Sequence, residues 1–224
     1  MAPIAENILR IRKELPPEVT LVAVSKFHPV EALKEAYAAG QRVFGESRPQ
    51  ELADKAAELS GVCPDVEWHF IGHLQTNKIK MVLPYVTMVQ SVDSVNLLSE
   101  LSRRSLEYGR TTDVLLEVHI GAEKTKQGFA EEEVLEVLFD ADRFPGVRFR
   151  GLMGMATNTD DESVIEADFC RIDSLMAYLK DLFPELTAFD QLSIGMSGDW
   201  RIALRHGATA VRIGMAIFGG REPR

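Results

Sequence analysis

Cysteine is nearly missing from this chain, and the two it has, Cys63 and Cys170, lie far apart with no Cys-x-x-Cys spacing. That excludes a disulfide framework and a thiolate zinc site, and it fits a reducing cytoplasm. Positive charge is also short: 25 Lys and Arg against 34 Asp and Glu give a net charge of -9, which argues against nucleic acid or an anionic membrane as the main partner. No apolar run reaches membrane-spanning length. The first fifteen residues carry Glu6, Arg10, Arg12, Lys13 and Glu14 at helical spacing, unlike the unbroken apolar core of a leader peptide. No Pro/Gly/Ser-rich linker interrupts residues 1–224, so one domain is expected. The segment after the first apolar strand, Ser25-Lys26-Phe27-His28, has no glycine, whereas an open dinucleotide-binding sheet would need a glycine-rich loop there.

What the chain does have is a regular alternation of short β-branched runs with segments of helical period. After an amphipathic opening helix the strands are read at 20–26, 42–46, 67–72, 86–92, 113–120, 148–155, 191–197 and 210–218. Helices are read between them at 29–39, 49–59, 76–82, 95–107, 131–140, 162–182 and 200–206, with Asp93 and Ser94 as candidate N-caps of the fourth. Strands joined by crossover helices form parallel sheets, and eight such units close a barrel. The expected fold is α/β: a single (β/α)8 TIM barrel with an extra N-terminal helix.

Barrel chemistry gathers at the C-terminal strand ends, and phosphates are often held by the loops after strands seven and eight. Lys26 ends the first strand, where an amine can hold an aldehyde. Gly195-Met196-Ser197-Gly198 and Arg212-Ile213-Gly214 supply glycine and a hydroxyl at the last two strands. Asp199 is expected to cap the short helix that begins at Trp200. An amine facing an anion cradle suits a phosphorylated aldehyde, and pyridoxal 5′-phosphate is the commonest biological molecule of that kind. Close packing alone would also account for Gly195 and Gly214.

The segments Val22-Ala23-Val24-Ser25-Lys26, Phe44-Gly45-Glu46, Trp68-His69-Phe70-Ile71-Gly72, Leu74-Gln75-x-Asn77-Lys78, Lys126-x-Gly128-Phe129, Gly151-Leu152-Met153, Gly195-Met196-Ser197-x-Asp199-Trp200 and Val211-Arg212-Ile213-Gly214 together resemble the pyridoxal phosphate homeostasis protein family. That family is similar in fold to the barrel domain of alanine racemase. The resemblance implies that Lys26 is a Schiff-base lysine, that Ser197 and the backbone at Gly214 and Met215 hold phosphate, and that Arg212 faces the pyridine nitrogen. It also implies transient contact with pyridoxal-phosphate-dependent apoenzymes. Ser47 and His119 stand where the family usually has Asn, and Met215 where it has a small hydroxyl residue, which leaves an N–H but no side-chain donor.

An arginine offers only donors and stays charged, so Arg212 does not keep a ring nitrogen protonated, and the cofactor's power as an electron sink is reduced. Racemisation also needs a second acid/base. With six residues following Phe218, the further domain that supplies a tyrosine in racemases is not expected, and Tyr37, Tyr85, Tyr108 and Tyr178 are expected on helices or at the wrong strand end. His73 and His119, near C-terminal strand ends, are the substitute bases. Carrier function with little turnover is therefore expected, with a small amino-acid racemase as the alternative. A phosphosugar aldolase that uses Lys26 is a third and weaker option. A monomer is expected.

Overall fold

The computed structural model describes residues 3–122 and 127–220. Within them eight parallel strands close a barrel in chain order: β1 (Thr20–Val24), β2 (Val43–Glu46), β3 (Glu67–Phe70), β4 (Val86–Val92), β5 (Thr112–Val118), β6 (Val147–Gly154), β7 (Gln191–Ser193) and β8 (Ala210–Ile213). The helices are α1 (Ile4–Glu14), α2 (Val30–Ala38), α3 (Pro49–Leu59), α4 (Ile79–Val82), α5 (Val95–Glu107), α6 (Glu131–Phe139), α7 (Glu162–Leu182), α8 (Trp200–Leu204) and α9 (Met215–Phe218). The strands are apolar in nearly continuous runs because a parallel barrel buries both faces. Outward residues such as Phe44, Phe70, Val89, Leu116 and Leu152 join the helices in one large core. Inward residues Met88, Leu115 and Met153 form a separate cluster inside the barrel.

Several boundaries differ from the sequence expectation, and three of them bear on the site. The run 210–218 is strand only as far as Ile213, after which the chain turns at Gly214 into α9. β8 pairs with β1 over Thr20↔Ala210 to Ala23↔Ile213, one residue short of the end of β1, and the Gly214 carbonyl then accepts from the Ile217 and Phe218 N–H groups of α9 instead of continuing the ladder. β7 likewise shrinks from 191–197 to Gln191–Ser193. Lys26 lies in a turn two residues beyond β1 rather than in the strand.

The N-terminal helix is not an appendage. The four-residue α9 is too short to cover the seam after β8, and α1 fills that place, packing on α2 and α9 with Ile8 and Ile11 buried. Asn7 donates from Nδ2 to the Ile217 carbonyl at 2.9 Å, and Arg201 of α8 pairs with Glu14 at 2.8 Å. Helices thus surround the barrel because the first helix in the chain does the work of the last.

Candidate functional site

The C-terminal mouth of the barrel collects the residues singled out in the sequence. The β1/β8 register carries on past its last pair: the position a Gly214 Cβ would take lies 3.1 Å from the Val24 carbonyl and 3.3 Å from Val24 Cβ. A side chain there would press on β1, so glycine is needed for close approach. Ser197 stands beside it, and its Oγ accepts from the Gly214 N–H at 3.3 Å and the Ala216 N–H at 3.5 Å. Half-buried Lys26 follows Val24 by two residues. The amine-bearing turn and the hydroxyl with its N–H groups therefore share one rim. Met215 is also there and is exposed.

Gly195 has a different reason for being glycine. It has φ +90, and a Cβ would lie 2.7 Å from Ala203 Cβ, so packing against α8 explains it fully. Asp199 corrects another expectation. Its side chain does not cap α8; Oδ1 accepts instead from the Met196 N–H and closes the loop 196–199 on itself. The cap expected for α5 holds at Ser94, which accepts from the Leu97 N–H, while Asp93 pairs with His73 Nδ1 at 2.8 Å. Lys126, part of one quoted motif, lies outside the described residues.

Arg212 points into the barrel from β8. Its Nη1 donates to the Ser193 carbonyl and Oγ, both at 2.7 Å, and its Nη2 reaches past β7 to the Gly154 carbonyl at 2.9 Å. Ser193 Oγ donates to Gln90 Oε1 at 2.7 Å, and Gln90 Nε2 lies 2.7 Å from His69 Nδ1. Donation from the amide makes that imidazole nitrogen an acceptor, so His69 is neutral. Burial pushes its pKa down to about 4. Burial likewise lowers the Arg212 guanidinium to about 10, with Glu117 and Asp199 opposing, so the arginine stays charged at neutral pH. Strands β3, β4, β6, β7 and β8 thus contribute to one buried chain that fixes the guanidinium.

Glu117 on β5 was not singled out in the sequence. It is 5% exposed, and burial, reinforced by Asp93, raises its carboxyl to about 7 against the opposing charges of Arg212 and His73. The available signal was a lone acid on the inward phase of an apolar strand. A second buried cluster, Ser25, Glu46, Glu51 and Lys55, also escaped sequence reasoning. Glu51 and Lys55 stand four residues apart on α3, and that spacing alone does not mark Lys55 as buried. His119 is half-buried behind β5. Tyr37 bonds Asp65 on the outer wall, Tyr85 precedes β4 at the far end, and Tyr108 and Tyr178 are exposed on or beside helices, so no tyrosine reaches the mouth.

A closed parallel barrel with a lysine turn after its first strand and a hydroxyl–amide cradle after its last two defines a barrel protein suited to a phosphorylated ligand. The model of the alanine racemase N-terminal domain matches residues 1–222, and the chain belongs to that family. It is 37% identical over 99% of its length to a pyridoxal phosphate homeostasis protein of Vibrio alginolyticus, and covers 99% of that protein. PipY of Synechococcus elongatus, solved with pyridoxal phosphate bound, superposes with a TM-score of 0.89 at 39% identity, covering 96% of this chain and 100% of that one. The alanine racemase of E. faecalis shares the fold at a TM-score of 0.76, 18% identity and 97% of this chain, which spans 58% of the racemase.

Proposed function

We propose that residues 1–224 act as one unit that binds pyridoxal 5′-phosphate reversibly for intracellular cofactor homeostasis, with little or no turnover of its own. The observation that carries this reading is the Ser197 hydroxyl, with the Gly214 and Ala216 N–H groups converging on it, set against β1 two residues before Lys26. Both contacts are long for N–H···O bonds, so these donors are only weakly engaged and suit a phosphate oxygen. The Met215 N–H adds a further donor on the same turn. The residues therefore fit the group in donor type.

The bound cofactor supplies an aldehyde that condenses with an amine with loss of one water. Lys26 offers that amine. Arg212, locked by Ser193 and Gly154, presents a fixed positive charge to the ring and has no proton to give at neutral pH. This favours holding the cofactor over exploiting it, as does the lack of any tyrosine at the mouth. The similarity to proteins named for pyridoxal phosphate homeostasis, and to a structure with that cofactor bound, supports the same reading. Among the described residues no helix is long and apolar enough to cross a membrane. A cytoplasmic monomer that meets apoenzymes transiently completes the proposal.

The test is to load purified protein with pyridoxal 5′-phosphate, reduce with borohydride and map the labelled peptide. Label on Lys26, lost in Lys26→Ala, is the expected result; label elsewhere or none refutes it. Loaded protein kept with L-amino acids in deuterated water should show no sustained Cα exchange, and turnover there would favour a racemase acting through His73 or His119.

A further inference from the structure

Lys26 sits between two residues that the buried cluster under β1 and β2 holds in place. Lys55 of α3 has a side chain only 6% exposed, and its ammonium donates to the Ser25 carbonyl at 2.8 Å, Glu46 Oε1 at 2.7 Å and Glu51 Oε1 at 2.8 Å. Ser25 Oγ donates to the same Glu46 oxygen at 2.6 Å. On the other side of Lys26, the Phe27 N–H donates to Glu51 Oε1 at 2.6 Å. One ammonium thus governs the carbonyl before Lys26 directly and the amide after it through Glu51.

Phe27 shows why such a clamp is needed. Its φ of +70 makes it the one non-glycine residue in the left-handed region among the described residues, and an aromatic residue gains nothing from being there. Such strain persists only where the surroundings over-determine it. Here the Glu51 bond is joined by the Arg48 guanidinium 4.4 Å over the Phe27 ring and by His28 stacked 4.9 Å from Phe218. Glu46 is fully buried, its Oε2 has no partner, and burial raises its pKa, so the cluster is held against a desolvation penalty. A hydrophobic trio would fill the same space and give α3 its anchor. What the polar trio adds is directional control of the backbone on both sides of one lysine.

We propose that Lys55 and Glu51 are positioning residues for Lys26, holding the turn Ser25–His28 in the strained form that presents the Lys26 amine toward the anion cradle. This rests on the reading of Lys26 as the attachment point. Neither residue touches the ligand; they act through Ser25 and Phe27. Their role therefore lies in the attachment of an aldehyde and not in the capture of phosphate, which belongs to β7 and β8.

Two probes separate these steps: pyridoxal 5′-phosphate, which can attach, and pyridoxine 5′-phosphate, which carries the same phosphate but no aldehyde. In Lys55→Met and Glu51→Ala the rate of attachment to Lys26, followed by the absorbance of the bound cofactor and by borohydride trapping, should fall at least about tenfold, the scale expected of a misaimed reacting group. Affinity for pyridoxine 5′-phosphate should stay within about twofold, and Glu51→Gln, which keeps an acceptor for the Phe27 N–H, should recover most of the rate. Glu51 is partly exposed, so its variants carry the test if Lys55→Met does not fold. Unchanged attachment rates in the variants, or a parallel loss of pyridoxine 5′-phosphate binding, overturn the proposal. A wild-type chain that never attaches the aldehyde sinks the parent reading and this one with it.

Discussion

Replacing Glu117 by glutamine should make the protein more stable in alkali and leave it nearly unchanged in acid. The Glu117 carboxyl is buried on the inward face of β5, and its pKa is raised from 4.5 to about 7, first by burial and then by Asp93, against the opposing pull of Arg212 and His73. A folded-state pKa above the unfolded value means that the native chain binds more protons between those limits. The stability linked to this group is therefore fully present below about pH 4.5 and is lost as the pH rises through about 7. At about 1.4 kcal/mol per pH unit, the loss comes to roughly 3 kcal/mol. The amide that Glu117→Gln introduces does not ionise, so the stability gap between variant and wild type should widen by that amount from about pH 4.5 to 8.5, or about 6–12 °C in Tm for a chain of this size. Guanidinium denaturation of both proteins at about pH 4.5, 6, 7 and 8.5 measures it. Every other titrating group is common to both proteins, so the difference reports this carboxyl together with its coupling to Asp93 and Arg212. A gap that does not vary with pH would refute the account, and one that grows as the pH falls below about 4.5 would mean that the folded-state pKa lies under the unfolded one.

His69 should act in the opposite direction. Its pKa is lowered to about 4 by burial, so its share of stability is present above about pH 6.5 and is lost as the pH falls toward 4, roughly 3 kcal/mol in all; His69→Gln should flatten the acid limb of a stability-versus-pH curve, and an unchanged limb counts against a neutral buried imidazole. Ser197→Ala should weaken pyridoxine 5′-phosphate binding about tenfold or more, the worth of one hydrogen bond to a charged group, as read by calorimetric titration; equal affinity would remove the hydroxyl from the cradle. Gly151→Ala should lose several kcal/mol or fail to fold, because φ is +143 and a Cβ would lie 1.9 Å from the Gln191 carbonyl across β6 and β7, while Gly61→Ala, with open space around it, should stay within about 0.5 kcal/mol. Thermal melts of both variants decide this, and a stable Gly151→Ala would contradict the strand packing.

The sequence by itself determined the eight strands, the seven helices between them, their order and the rim that carries Lys26, Ser197, Arg212 and Gly214, because alternating β-branched runs and helical periods are local signals and a parallel barrel puts the C-terminal end of every strand on one rim. Tertiary structure alone decided the rest. Closure set β8 against β1 only as far as Ile213, the following residues form a helix, and a seam remains that the first helix of the chain fills. Tertiary structure also buried Lys55 so that its ammonium grips the Ser25 carbonyl, and it turned Asp199 from a helix cap into the clasp of its own loop. The acidity of Glu117 and the neutrality of His69 were beyond local reading for the same reason: burial and neighbouring charge come from residues brought in by other strands, and no spacing along the chain encodes the dielectric a side chain will meet.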